Sequence, residues 1–348
     1  MTNGDRARID FPSRVGVWWA SETWSITDAQ DVARDIEELG FGSLFIPEVT
    51  GKECLTQSGA FLAATDRLVV GTGIANIHIR LPSAAEAGAR TLTALHPGRF
   101  VLGLGVSHAP LVEHGMGGSY SKPLATMRSY LERMAALPEQ IEPGVGRPPR
   151  LLAALGPKMI ELSGELADGA HPYLVTPDQT ATTRSILGPD KWIVSEQAVV
   201  VGGDDEQQLQ YAHQHLNVYS GLPNYRNSWL RQGFDESDLV RGGSDRLARG
   251  VVGLGSVEAA AAKIVAHLEA GADHVVVQVL GDNPMTDPRP ALRELAAEHN
   301  PESVERRRGR PAGGRGPTRP LRFRRLWRPC AACTTPRTSG RWTPARSR

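Results

Sequence analysis

The chain has 348 residues, of which 40% are hydrophobic and 22% charged, and a net charge of +1. Those values suit a globular protein with a sizeable core, in one large domain or two ordinary ones. They exclude a membrane-spanning helix, since no run of about 18 apolar residues occurs, and a secreted disulfide framework, since the only cysteines are Cys54, Cys330 and Cys333.

Met1 to Ser13 is polar, with mixed charge and no apolar signal segment, so the expected location is the cytoplasm. From there short apolar runs alternate with helical patterns, which argues βα units and a parallel sheet. The first run is Val15 to Trp19. A helix follows from Thr27, with Gln30 completing a capping box, an apolar face of Ala29, Val32, Ala33, Ile36 and Leu39, and Gly40 as its stop. The second run is Ser43 to Pro47, ending at Glu48. The third is Leu68 to Asn76, followed by a helix from Ser83 with Glu86 in a second capping box. The fourth is Phe100 to Val106, then a Gly- and His-rich loop and a helix near Leu124 to Leu137. The fifth, Leu151 to Leu155, runs through Gly156-Pro157 into a helix. The sixth is Gly169 to Leu174, before a helix capped by Thr176 with Pro177 at its first position. The seventh is Trp192 to Val201. The last, His274 to Leu280, follows a helix from Ser256 to Ala270.

Eight buried parallel strands over some 300 residues predict an α/β fold, a (β/α)8 TIM barrel over residues 14–300, with an insertion at about 205–255 between strands seven and eight. The Pro223 to Asn227 part of that insertion reads as polar and turn-rich. A doubly wound open sheet is the main competitor, weakened because no G-x-G-x-x-G opens the first helix.

Residues 301–348 differ from the rest. They hold fourteen Arg and no Lys against Glu302 and Glu305, a charge of +12, which leaves −11 on the preceding 300 residues. With its Arg, Pro and Gly content and no period, this tail is expected to be disordered. Nucleic acid is therefore not an expected partner of the body, and the basic tail alone keeps that option open. Cys330 and Cys333 have metal spacing but no second ligand pair, so no metal site is expected.

In such a barrel the chemistry lies just after the strands. Gly156-Pro157-Lys158-Met159 turns a strand into a helix N-terminus, where free amides, the helix dipole and Lys158 would favour an anion; an ordinary strand-to-helix turn is the plain alternative. Gly103 and Gly105 mark a close approach of a ligand or of backbone, and Ser107 and His108 follow at the barrel mouth. Glu48 is the acid at a strand end in the first half, open to a proton-transfer role or to contact with a cofactor. Trp19 and Tyr173 also end strands. No G-x-S-x-G elbow, P-loop or pair of His at i, i+4 occurs, so hydrolase, kinase and zinc readings lack a motif.

Thr72-Gly73-Ile74-Ala75-Asn76, the stretch from Pro97-Gly98-Arg99-Phe100 to Gly105-Val106-Ser107-His108, and Ala154 to Met159 up to Ala167-Asp168-Gly169 resemble the luciferase-like monooxygenase superfamily. Within it the chain is similar to actinobacterial oxidoreductases that use the deazaflavin coenzyme F420, over residues 14 to 298. The resemblance implies the same barrel and a non-prolyl cis peptide at Gly73–Ile74 beside the cofactor ring. It places Glu48 near that ring, Asn76, Ser107 and His108 at cofactor contacts, and Gly156, Pro157, Lys158 and Met159 at the phosphate. Glu48 and His108 are the catalytic candidates. One departure stands out: relatives acting on sugar phosphates carry His directly after the strand-two acid, and this chain carries Val49. The implied reaction is hydride transfer between the deazaflavin and a small organic substrate. An FMN-dependent monooxygenase and a non-catalytic flavin-binding barrel are the alternatives, and a homodimer is the one protein partner considered.

Overall fold

The computed structural model describes residues 9–49, 51–137 and 145–299. The residues 301–348, expected to be a disordered basic tail, lie outside it, as does the start of the chain before Ile9.

The elements follow in the order β1 (Val15–Trp18), α1 (Ile26–Glu38), β2 (Ser43–Ile46), α2 (Cys54–Ala64), β3 (Val69–Thr72), β4 (Ala75–Asn76), α3 (Pro82–Leu95) and β5 (Phe100–Gly105). Then come α4 (Pro123–Ala135), β6 (Arg150–Leu152), α5 (Pro157–Leu166), β7 (Gly169–Ala170), α6 (Pro177–Leu187) and β8 (Trp192–Val199). The last third holds α7 (Asp205–Tyr219), α8 (Pro223–Arg231), α9 (Asp245–Val251), β9 (Val252–Gly253), α10 (Val257–Glu269), β10 (His274–Val279) and α11 (Arg289–His299). Every strand pairing is parallel. The ring runs β1-β2-β3-β5-β6-β7-β8-β10 and closes where Val15 of β1 meets Val275 of β10. This is the expected eight-stave barrel; its third stave is broken in two, with β3 and β4 both laid along β5.

The barrel interior is packed with Phe45, Val69, Val101, Leu151, Val194 and Val276. Phe45 is wholly buried; removing such a side chain from water is worth roughly 1.5–3 kcal/mol. The other face of the staves packs on the helices, where Ala29, Val32, Ala33 and Ile36 of α1 are all buried at the expected spacing. The N-terminal end of the barrel is closed by residues 9–13, which the sequence reading left outside the domain. Ile9 is buried, and the Phe11 ring stacks on His274 at 3.9 Å between centroids.

Two helix starts differ from expectation. The cap of α1 is Ser25, whose hydroxyl accepts the Asp28 amide at 3.1 Å, so Thr27 is already inside the helix. α3 starts at Pro82 with no side-chain cap, because Leu81 stands at the cap position and has no acceptor, and Glu86 is instead drawn into buried ion pairs with Arg90 and Arg150. Thr176 caps α6 through the Gln179 amide, as expected. The insertion is helical rather than turn-rich: Pro223 occupies the first turn of α8, and α7, α8 and α9 close over a second apolar cluster around the fully buried Trp229.

Candidate active site

At the C-terminal ends of the staves lies a cavity of about 460 Å3. Of the ten residues proposed from sequence, Glu48, Gly73, Ile74, Ser107, His108, Gly156 and Met159 line it. They come from the ends of four different staves, so the strand-end rule brings together groups far apart in the chain. The other three are not in its wall. Asn76 is fully buried, its amide nitrogen 3.2 Å from the Met116 sulfur and its carbonyl accepting the His78 amide. Pro157 and Lys158 are exposed in the first turn of α5. A groove of about 690 Å3 between residues 77–82 and α4 contains none of the ten.

The stave between β3 and β4 breaks at a cis peptide between Gly73 and Ile74, the position the resemblance implied. Local sterics explain the glycines around it. A Cβ on Gly103 would lie 1.9 Å from the Thr72 carbonyl oxygen, and one on Gly105 would lie 2.5 Å from the end of the Ile74 side chain. The close approach those two glycines signal is thus made by the chain's own bulge. On Gly73 a Cβ would meet Trp18 Nε1 at 2.8 Å and His171 Nε2 at 3.1 Å.

Glu48 is not a free acid. Its side chain is 2% exposed and receives a two-pronged bond from the Arg80 guanidinium. Its oxygens also accept the Asn76 amide at 2.8 Å and the Cys54 amide at 3.3 Å. Arg80 bonds Glu53 as well, at 2.8 Å. Although burial works against its charge, these carboxylates hold the Arg80 guanidinium above its ordinary range. With this many partners the Glu48 side chain ties stave two to the bulge. Glu48, Glu53 and Cys54 are close enough to share a metal ion, but the guanidinium already bridges the two carboxylates, and burial pushes the Cys54 thiol well up, away from the thiolate a metal needs.

His108 keeps its place on the wall, with Nδ1 buried and unbonded and its pKa lowered by burial. Several lining residues were missed from sequence. Trp18, not Trp19, faces the barrel axis and donates from Nε1 to the Gly73 carbonyl at 2.7 Å; Trp19 points the other way and bonds Thr286. His171 donates from Nδ1 to the Val194 carbonyl at 2.7 Å, which leaves Nε2 as a bare acceptor with no partner. Burial pushes its pKa down to about 4, against the raising effect of that bond. The inserted helices supply Tyr219, Tyr225 and Arg231, and one Arg231 nitrogen bonds the Leu155 carbonyl beside Gly156 at 3.3 Å. Tyr173, a strand-end candidate, donates to Gln278 at 2.6 Å and meets the Tyr219 hydroxyl at 3.1 Å and His215 Nε2 at 3.2 Å.

A closed parallel barrel with its cavity at the strand ends defines the class. The family model described as luciferase-like monooxygenase matches residues 9–274, and the chain belongs to that family. It is 28% identical over 194 residues, 47% of this chain and 55% of the other, to a Mycobacterium tuberculosis protein provisionally named a coenzyme F420-dependent oxidoreductase. It is 29% identical over 162 residues, 40% of this chain and 49% of the other, to the 5,10-methylenetetrahydromethanopterin reductase of Methanolobus tindarius. The matches span about half the length of these two relatives. Among solved structures, an F420-dependent secondary alcohol dehydrogenase superposes with a TM-score of 0.65 at 16% identity, covering 80% of this chain and 99% of that one.

Proposed function

We propose that this chain is an oxidoreductase that uses coenzyme F420 to transfer a hydride to or from a small organic substrate bound in the 460 Å3 cavity. The observation that carries the reading is the convergence of Gly73, Ile74, Ser107, His108, Gly156 and Met159 on one cavity at the strand ends. The naming of its relatives as F420-dependent enzymes supports it.

The residues fit such a group. Gly156 leaves open space at the start of α5, where a Cβ would have only the Arg231 guanidinium within 4 Å, at 3.6 Å. The amides opening α5, together with Arg231, would hold a phosphate. Ile74, Ser107 and His108 would line the ring. The deazaflavin, when bound, supplies the hydride acceptor or donor. The chain supplies position, an apolar wall and exclusion of water. Lys158, exposed on the first turn of α5, would add attraction for the anion without touching the ring.

Fluorescence titration of the full chain with F420, FMN and FAD tests this. F420 should bind most tightly. Micromolar FMN binding with no detectable F420 binding would replace the proposal with the FMN monooxygenase reading.

A further inference from the structure

Leu174 is the joint between the barrel and the inserted helices. Its backbone is left-handed, with a φ of 51°, a conformation that leucine adopts only where its surroundings impose it. Its amide donates to Glu196 Oε2 on β8 at 2.9 Å, and its carbonyl accepts the Trp229 indole of α8 at 3.1 Å. Two residues on, the Thr176 amide donates to Gln232 Oε1, just past the end of α8, at 2.8 Å. The Leu174 side chain is buried with Trp229 in the apolar cluster of the insertion. The residue before it, Tyr173, lines the cavity and bonds Gln278, Tyr219 and His215.

Glu196 has no second task. Among the described residues its carboxyl has one partner, the Leu174 amide, and Oε1 has none. Packing does not call for a carboxyl there, since Val194 on the same face and Val276 beside it on β10 are both apolar. A carboxyl buried for the sake of one hydrogen bond weakens a fold. What it contributes is its hold on the joint.

We propose that Glu196 is a positioning residue for the cavity: by fixing Leu174 it sets Tyr173, and through Trp229 it keeps α8, with Tyr225 and Arg231, in register with the barrel. Tyr225 and Arg231 stand on either side of Trp229 along α8 and both line the cavity, so a shift at the joint moves the aromatic wall and the rim cation together. This rests on the cavity being the cofactor site and not on which cofactor fills it. Ionisation of Glu196 undoes the hold. Burial pushes its carboxyl up to about 8, outweighing the Leu174 bond. On the barrel-interior side the titratable groups of neighbouring elements are His171 and Tyr173, Tyr219 and His215 on α7, Tyr225 on α8 and His274 on β10. Burial raises the tyrosines and lowers the histidines, so all are neutral between pH 7 and 9 and none offers a cation. A carboxylate formed there draws water into the joint.

The test is fluorescence titration of the full chain with F420 and with FMN at pH 7 and pH 9, each variant being compared with the unaltered chain on the same cofactor. Failure of the F420 reading then shows in which cofactor binds the unaltered chain, and not in the ratios. Glu196→Val removes the acceptor for Leu174 and should weaken binding by about tenfold or more at pH 7. Glu196→Gln keeps an acceptor and should bind within about threefold of the unaltered chain. From pH 7 to 9 the unaltered chain should lose affinity relative to Glu196→Gln, a comparison that decides the matter even where Glu196→Val fails to fold. Trp229→Phe breaks the other side of the joint. It should weaken binding too, and the double variant with Glu196→Val should lose less than the product of the two. A folded Glu196→Val chain that binds as tightly as the unaltered one would overturn the proposal. So would parallel pH profiles for the unaltered chain and Glu196→Gln, fully multiplicative losses in the double variant, or no binding of either cofactor.

Discussion

Glu196 offers a stability test whose size and sign follow from its surroundings. It lies on β8 two residues beyond Val194, hence on the barrel-interior face, and is 1% exposed. Oε2 accepts the Leu174 amide at 2.9 Å, and Oε1 has no partner. Burial pushes the carboxyl up from an ordinary 4.5 to about 8, with the Leu174 bond working the other way. Between those values the folded chain keeps a proton that the unfolded chain has released. The stability from this group is therefore full below pH 4.5, declines above it, and is lost once the pH passes about 8. The slope approaches about 1.4 kcal/mol per pH unit, so the stretch from pH 6.5 to 8 alone should remove about 2 kcal/mol. That stretch isolates Glu196, because the buried histidines act on stability only below their ordinary value of 6.5. Glu196→Gln keeps the shape and the Leu174 bond but cannot titrate. Urea unfolding at 25 °C should show the unaltered chain losing stability from pH 6.5 to 8 and the variant holding level. Parallel profiles for the two would refute the assignment.

On the acid side the sign is opposite. Burial lowers His171 and His215 to about 4 and His267 and His274 to about 3, so the unfolded chain takes up protons first and stability is lost as pH falls below 6.5 through those values. The melting temperature should drop steeply between pH 6 and 4, and a level profile there would contradict the buried neutral imidazoles. Glu48→Gln should cost about 3 kcal/mol, the low end for breaking a buried ion pair, because Glu53 still holds Arg80. It should also weaken cofactor binding by loosening the amides of Asn76 and Cys54. In a double-mutant cycle with Arg80→Met the two losses should be clearly less than additive, and full additivity would show that the pair does not act as a unit.

The barrel itself was legible because its signals are local. Apolar runs bounded by Gly and Pro set the staves, and the spacing of Ala29, Val32, Ala33 and Ile36 set the buried face of α1. The errors came where a distant residue decided the outcome. Glu86 fits a capping box by spacing, yet its carboxylate is buried between Arg90 and Arg150, the latter sixty-four positions away. Phe11 and Ile9 look like part of a polar leader, and only the open end of the closed barrel gives them something to cover.

The site divides along the same line. Gly73, Ile74, Ser107, His108 and Gly156 could be placed on the cavity wall from sequence because the ends of staves are set by local pattern and the barrel brings those ends together. Choosing Trp19 over Trp18 shows how narrow that rule is: one residue along a strand changes the face, and the side chain that reaches Gly73 is the other tryptophan. The period-two pattern could have decided it, since Val15, Val17 and Trp19 all pack on the helix side. No comparable signal marked Tyr219, Tyr225 or Arg231. Their place on the cavity depends on how α7 and α8 fold back over the barrel through Trp229, whose indole donates to the Leu174 carbonyl at 3.1 Å. Local strand-end pattern therefore marks where the cavity lies, while the part of its wall from the inserted helices is held by an anchor fifty-five positions from its partner.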